Sequence, residues 1–200
     1  MNAIEMLIQQ LDTVHIRFHH SATDLTPEEL IARPVTGPNA IGFILWHMVR
    51  SQDWAVNTAI RNEPEVITRD HWRHTSLAVP GIGTGFTSEQ AQQIAGSVER
   101  AILLAYADAV HGDITTWLRT QEEEMLDQIP DAEAHDAPYP EYQTAGFRAE
   151  MGSGPEHDDA VGRTGGLPAW VYLTSVAVTH LHRHLGEVDL LKDLLRRRVS

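Results

Sequence analysis

Residues 167–195 read LPAWVYLTSVAVTHLHRHLGEVDLLKDLL, and the spacing within them decides the fold. Leu173, Ala177, His180, His184, Glu187, Leu191 and Leu194 recur at intervals of three and four, so they share one face of a long helix. His180 and His184 therefore stack one turn apart on the core side and point the same way. His182 lies about 200° around the helix from His180, with Ser175, Thr179, Asp189, Asp193 and Arg196, the composition of a solvated face. Two imidazoles four residues apart can converge on one cation, and imidazole suits zinc, nickel, copper and iron(II). A third ligand must come from elsewhere in the chain.

Working outward, the best source is a helix expected from about Ala40 to Arg61. Its opening, AIGFILWHMV, has one polar side chain, His47, so this half is expected to be buried on nearly all sides. A lone buried histidine is ordinarily a hydrogen-bonded core residue. An HxxxH pair on another core-facing helix changes that balance, because three neutral imidazoles in an apolar interior each need a partner, and a divalent cation can be that partner. His47, His180 and His184 would leave a coordination position open, the arrangement of catalytic rather than closed structural sites. HLHRH is not the zincin HExxH, since Leu181 occupies the glutamate position and removes that general base. Glu187 is the candidate catalytic carboxylate, with three readings open: a partner that orients His184, a weak base, or a plain surface acid.

The rest of the chain reads as helices and connections. Residues 3–22 carry Ile4, Leu7, Ile8, Leu11, Val14, Phe18 and Ala22 at helical period. His15 and His19 are again four apart, but His19 and His20 sit near a helix C-terminus, where imidazolium is favoured, and the pair is read as ordinary helix histidines rather than ligands. Thr26-Pro27-Glu28-Glu29 has the form of a capped helix start. Residues 33–39 form a connection from which Asn39 can cap the next helix. Between Asn62 and Phe86 the period is lost, and Trp72, His71 and His74 are read as surface residues. GIGTGF is not a nucleotide fingerprint, because Phe86 stands at the last glycine position. Thr87 and Gln90 form a capping box for a third long helix through Ile94, Val98, Ala101, Ile102, Ala105, Ala109, Ile114, Trp117 and Leu118 to about Met125, with Gly112 as its expected break. Residues 126–166 are a long aperiodic connection. Tyr139, Tyr142 and Phe147 can pack there and Arg148 and Arg163 can meet an anion, so it is read either as a cover over a site or as a plain crossover. MGSGP is not a nucleophile elbow, since Met151 replaces the first glycine.

Composition narrows the function classes. At 200 residues one domain spanning 1–200 is expected. A net charge of −13 disfavours nucleic acid and anionic membranes as partners. The arginines at 196–198 are read as the favoured basic end of a helix. No cysteine is present, which excludes disulfides, thiolate metal sites and a cysteine nucleophile. No apolar run reaches the roughly 18 residues of a membrane span. A cytoplasmic protein is expected. The fold expected is all-α, a four-helix bundle with long crossover connections that can hold a metal between facing side chains.

Taken in order, LTPEELIARPVTGPNAIGFILWHMV and THLHRHLGEVDLL resemble the DinB-like (DinB/YfiT) superfamily of metal-binding four-helix bundles. The resemblance implies that His47, His180 and His184 correspond to that family's metal triad, with zinc or nickel the usual occupant, and that the chain pairs as a homodimer. It also implies, from thiol-dependent members, a low-molecular-weight thiol as cofactor and an S-transferase or isomerase reaction on a small-molecule substrate. A metal-dependent hydrolase and a non-catalytic or stress-related metal-holding bundle stand as the alternatives.

Overall fold

The computed structural model describes residues 2–33, 39–130 and 167–197. These residues form six helices and no strand. Helix α1, Ala3–Ala22, opens on a reciprocal cap in which Asn2 Oδ1 accepts from the Glu5 amide and Glu5 accepts from the Asn2 amide. It buries the expected stripe from Ile4 to Ala22. Helix α2, Pro27–Ile31, starts on the expected Thr26–Glu29 box. Helix α3, Ile41–Asp53, runs without a break into a π-helical continuation, Trp54–Ile60. Asn39 does not cap it: the N-cap is Ala40, and no side chain bonds the free amides. Burial of the apolar start holds that end instead.

The third long helix is divided. Helix α4, Ser88–Ser97, begins on the expected Thr87–Gln90 box, but Val98 and Glu99 are extended and a new helix, α5, runs Arg100–Leu118. The break is here and not at Gly112, which lies inside α5. The division has a packing cause: α4 lies on α2 and α3, whereas α5 lies on α1, and no straight rod reaches both. The restart also resets the helical phase. Leu103, Tyr106, Ala107 and Val110 face the core, while Ala101 and Ala105, placed on the expected stripe, are exposed.

The last helix, α6, is one continuous rod of three segments: Ala169–Val171, the π-helical Tyr172–His180, and Leu181–Arg197. The long helices meet in a ring, α1 against α5, α5 against α3, α3 against α6 and α6 against α1. The two π-helical stretches pack on each other through Trp54 and Tyr172, whose ring centroids are 6.2 Å apart. Each leucine buried in the common core, such as Leu11, Leu45 or Leu185, contributes roughly 1.5–3 kcal/mol.

The face assigned to solvent on α6 is largely exposed, as at Thr179, Asp189, Asp193 and Arg196, but its edge also borders α1 and the start of α2. Arg17 donates to His182 Nδ1 at 3.0 Å, Ser21 donates to Asp189 at 3.0 Å, and Arg196 bonds Asp24 and Glu29. Its polar side chains thus face water and in part find partners on α1, on α2 and in the connection between them. Trp72 is likewise more than a surface residue, since it stands 5.5 Å from the Tyr106 ring against the core. His71 and His74 are exposed, as expected. Tyr139, Tyr142, Phe147, Arg148 and Arg163 lie outside the described residues.

A buried polar network fastens the 62–86 connection to α3. Asp53 accepts from the Val66 and Ile67 amides, from Asn57 and, at 2.6 Å, from Tyr106. Arg50 pairs with Glu65 and donates to the Gly81 carbonyl at 3.1 Å. Burial pushes the Glu65 carboxyl and Tyr106 hydroxyl up.

Candidate metal centre

Every residue from Ala40 to Asn57 is buried except His47, which keeps a partly accessible edge on the α3–α6 seam. Opposite it, α6 presents His180 and His184, and the Gln52 amide donates to the Ala177 carbonyl at 3.0 Å to hold the two helices in register. The three Nε2 atoms converge: His180 Nε2 stands 3.2 Å from that of His47 and 3.0 Å from that of His184. The ring planes are close to mutually perpendicular, at 83°, 87° and 88°. The separations are near the roughly 3.3 Å that two metal–nitrogen bonds of tetrahedral zinc would subtend.

Groups behind the rings decide their tautomers. His47 Nδ1–H donates to the Ile82 carbonyl at 2.5 Å, and His184 Nδ1–H donates to Glu187 at 2.9 Å. Both rings therefore turn an Nε2 lone pair toward His180. A proton on His180 Nε2 can satisfy only one of them, and His180 Nδ1 is buried without a partner among the described residues. One cation satisfies all three lone pairs together, so the donor set fits a divalent transition metal. Loss of hydration lowers the His47 pKa to about 4 and that of His180 to about 2, so both are neutral near pH 7 and able to ligate. The His47 value follows the enclosure of the whole ring rather than its small accessible edge.

The triad opens on a cleft of about 350 Å³ walled by Phe43, Ile44, Ile82 and Val176, with Asn39, Ser175, Thr179 and the exposed Arg183 around it. Its floor depends on a turn that sequence reading passed over. Gly81 and Gly83 take φ of +84° and +100°, and a Cβ on Gly83 would sit 2.8 Å from the Phe43 ring. That turn aims the Ile82 carbonyl at His47. The signal was present in PGIGTG, as glycines that let backbone approach α3 closely rather than cradle a phosphate. Glu187, read as weak base or orienting partner, makes the orienting bond, which lowers its pKa. His182 lies on the other side of α6 and takes no part.

Residues 10–158, well over half the chain, match the sequence model of the DinB superfamily. That span takes in His47 and ends ahead of His180 and His184. The chain is also similar in fold to the crystal structure of a conserved protein from Enterococcus faecalis, with a TM-score of 0.68 and 18% identity over 97% of each chain. No curated protein matches it. No helix among the described residues is long and apolar enough to cross a membrane.

Proposed function

This chain belongs to the DinB superfamily, and from that premise we propose that it is a metal-dependent enzyme of the thiol S-transferase or isomerase type, with zinc or nickel held by His47, His180 and His184. The observation that carries the reading is the convergence of three Nε2 atoms whose tautomers are set from behind and whose shared front faces a cleft. When bound, the cation would supply Lewis acidity that lowers the pKa of a thiol, whose proton would pass to solvent and whose sulfur could then attack a small electrophile.

The chain's own residues do the positioning. Ile82 and Glu187 hold the His47 and His184 rings, and Arg183 at the cleft can receive an anionic part of thiol or substrate. Thr179 and Ser175 offer hydroxyls beside the triad. Glu187 is the one carboxylate among the described residues lining the cleft, and its bond to His184 and lowered pKa make it a poor proton acceptor. That favours thiol chemistry over hydrolysis, since a metal deprotonates a coordinated thiol outright but brings bound water only to a pKa of about 7, where a neighbouring base adds most.

Cobalt substitution tests the proposal. Adding a low-molecular-weight thiol to the cobalt-loaded protein is expected to produce a sulfur-to-cobalt absorption band. His47→Ala, His180→Ala and His184→Ala are each expected to abolish it, and His182→Ala to leave it intact. A spectrum indifferent to every thiol would turn the reading toward a hydrolase or a metal-holding bundle.

A further inference from the structure

The α1–α5 seam, on the far side of the helix ring from the cleft, carries a second convergence of ligand atoms. His15 Nε2 and His19 Nε2 lie 3.0 and 2.8 Å from one oxygen of Asp108, and the three donor atoms all fall within 4.8 Å of one another. We propose that His15, His19 and Asp108 form a second binding site for a divalent transition cation, distinct from the histidine triad, that clamps α1 to α5.

Four observations carry it. The histidine spacing is that of the inner pair, and the rings meet similarly, edge to face at 4.7 Å, against 4.5 Å for His180 and His184. The donors come from two packed helices, so no element has to move to bring them together. The His15 ring is held flat against His111 at 4.2 Å and 5°, and His111 is held in turn by Asp12 at 2.9 Å. Asp108 also supplies a negative charge that the inner triad lacks, offsetting part of the cation's charge. Two imidazole nitrogens and one carboxylate oxygen select the zinc, nickel, cobalt and copper class over magnesium or calcium, which prefer all-oxygen shells.

The site is reachable from solvent, so metal loading can be read on the intact, untagged chain by equilibrium dialysis against zinc. Wild type is expected to hold about two ions per chain, one at each tetrahedral-type site. His180→Ala/His184→Ala is expected to keep the outer ion, His15→Gln/His19→Gln the inner one, and the fourfold variant neither. Asp108→Asn, which preserves shape and a hydrogen bond, is expected to weaken the outer ion by at least about tenfold and leave the thiol-responsive cobalt band unchanged. Circular dichroism confirms that each variant is folded. If His180→Ala/His184→Ala holds no zinc, or the outer substitutions leave stoichiometry and affinity unchanged, the cluster is a set of ion pairs and the proposal is overturned. If instead the inner reading alone is wrong, wild type holds about one ion and the outer variant loses it.

Discussion

Two HxxxH pairs lie on opposite seams of one bundle, and their surroundings separate them. At the α3–α6 seam the third donor is another imidazole, the rings are fixed from behind by a carbonyl and a carboxylate, and the front is a cleft. At the α1–α5 seam the third donor is a carboxylate whose side chain is 57% exposed, and among the described residues its atoms line no cleft that the triad shares. His184 is 16% exposed where His19 is 31%. Identical spacing thus yields a shielded set of donors in front of a cleft in one place and an outward-facing set in the other. The difference lies in what stands behind and in front of the rings, not in the pairs themselves.

The comparison breaks most severely through the inner site's foundations. Arg50→Met leaves the buried Glu65 and Asp53 carboxylates without their cation and frees the Gly81 carbonyl, so urea unfolding should show a loss of about 3–5 kcal/mol. Its outer counterpart, Asp12→Asn behind the exposed rim at His111, should cost under about 1 kcal/mol. Equal losses would mean that the inner seam is no better founded than the outer.

Acid should separate the seams next. His47 and His180 have pKa values lowered below the usual 6.5 by burial. As pH falls below that value the unfolded chain takes up protons that the folded chain refuses, so stability declines at full slope to about pH 4, where His47 protonates in place, and more gently below it through His180 alone. Two such histidines remove about 2.7 kcal/mol per pH unit in the steep part of that window. Melting curves of chelator-treated protein between pH 6.5 and 4.5 should show this slope roughly halved by His180→Gln and changed less by His15→Gln.

The smallest effect sharpens the contrast. Glu187→Gln keeps the contact with His184 but removes its charge, and should weaken the thiol-responsive metal about 10- to 100-fold while leaving the outer ion alone. Unchanged affinity, read by competition with a chromophoric chelator, would make Glu187 a surface acid that happens to lie near the triad.

Much of this was legible in the chain. Period placed α1, α3 and α6, capping residues placed the starts of α2 and α4, and the single polar residue in AIGFILWHMV singled out His47. The spacing separated His180 and His184 from His182. The break at Val98–Glu99 was passed over because the apolar period runs smoothly across it, although Gly96 in the last turn of α4 is a helix-ending signal; competition between two packing surfaces fixes its place. The role of Ile82 was hidden because a carbonyl acts there, and any residue supplies one. Asp108 could not be paired with His15 and His19, since the contact crosses some ninety residues and depends on the phase that α5 takes after the break.

By itself the sequence determined an all-helical chain and the ligand types available to it, since a helix turns every 3.6 residues and imidazole is the strongest donor left once cysteine is absent. Tertiary structure alone decided which tautomer each imidazole adopts, which front opens on a cleft and that His15 and His19 meet Asp108. Those properties depend on distances of about 3 Å between atoms from different helices. Spacing along one helix carries no information about what the neighbouring helix brings to meet it.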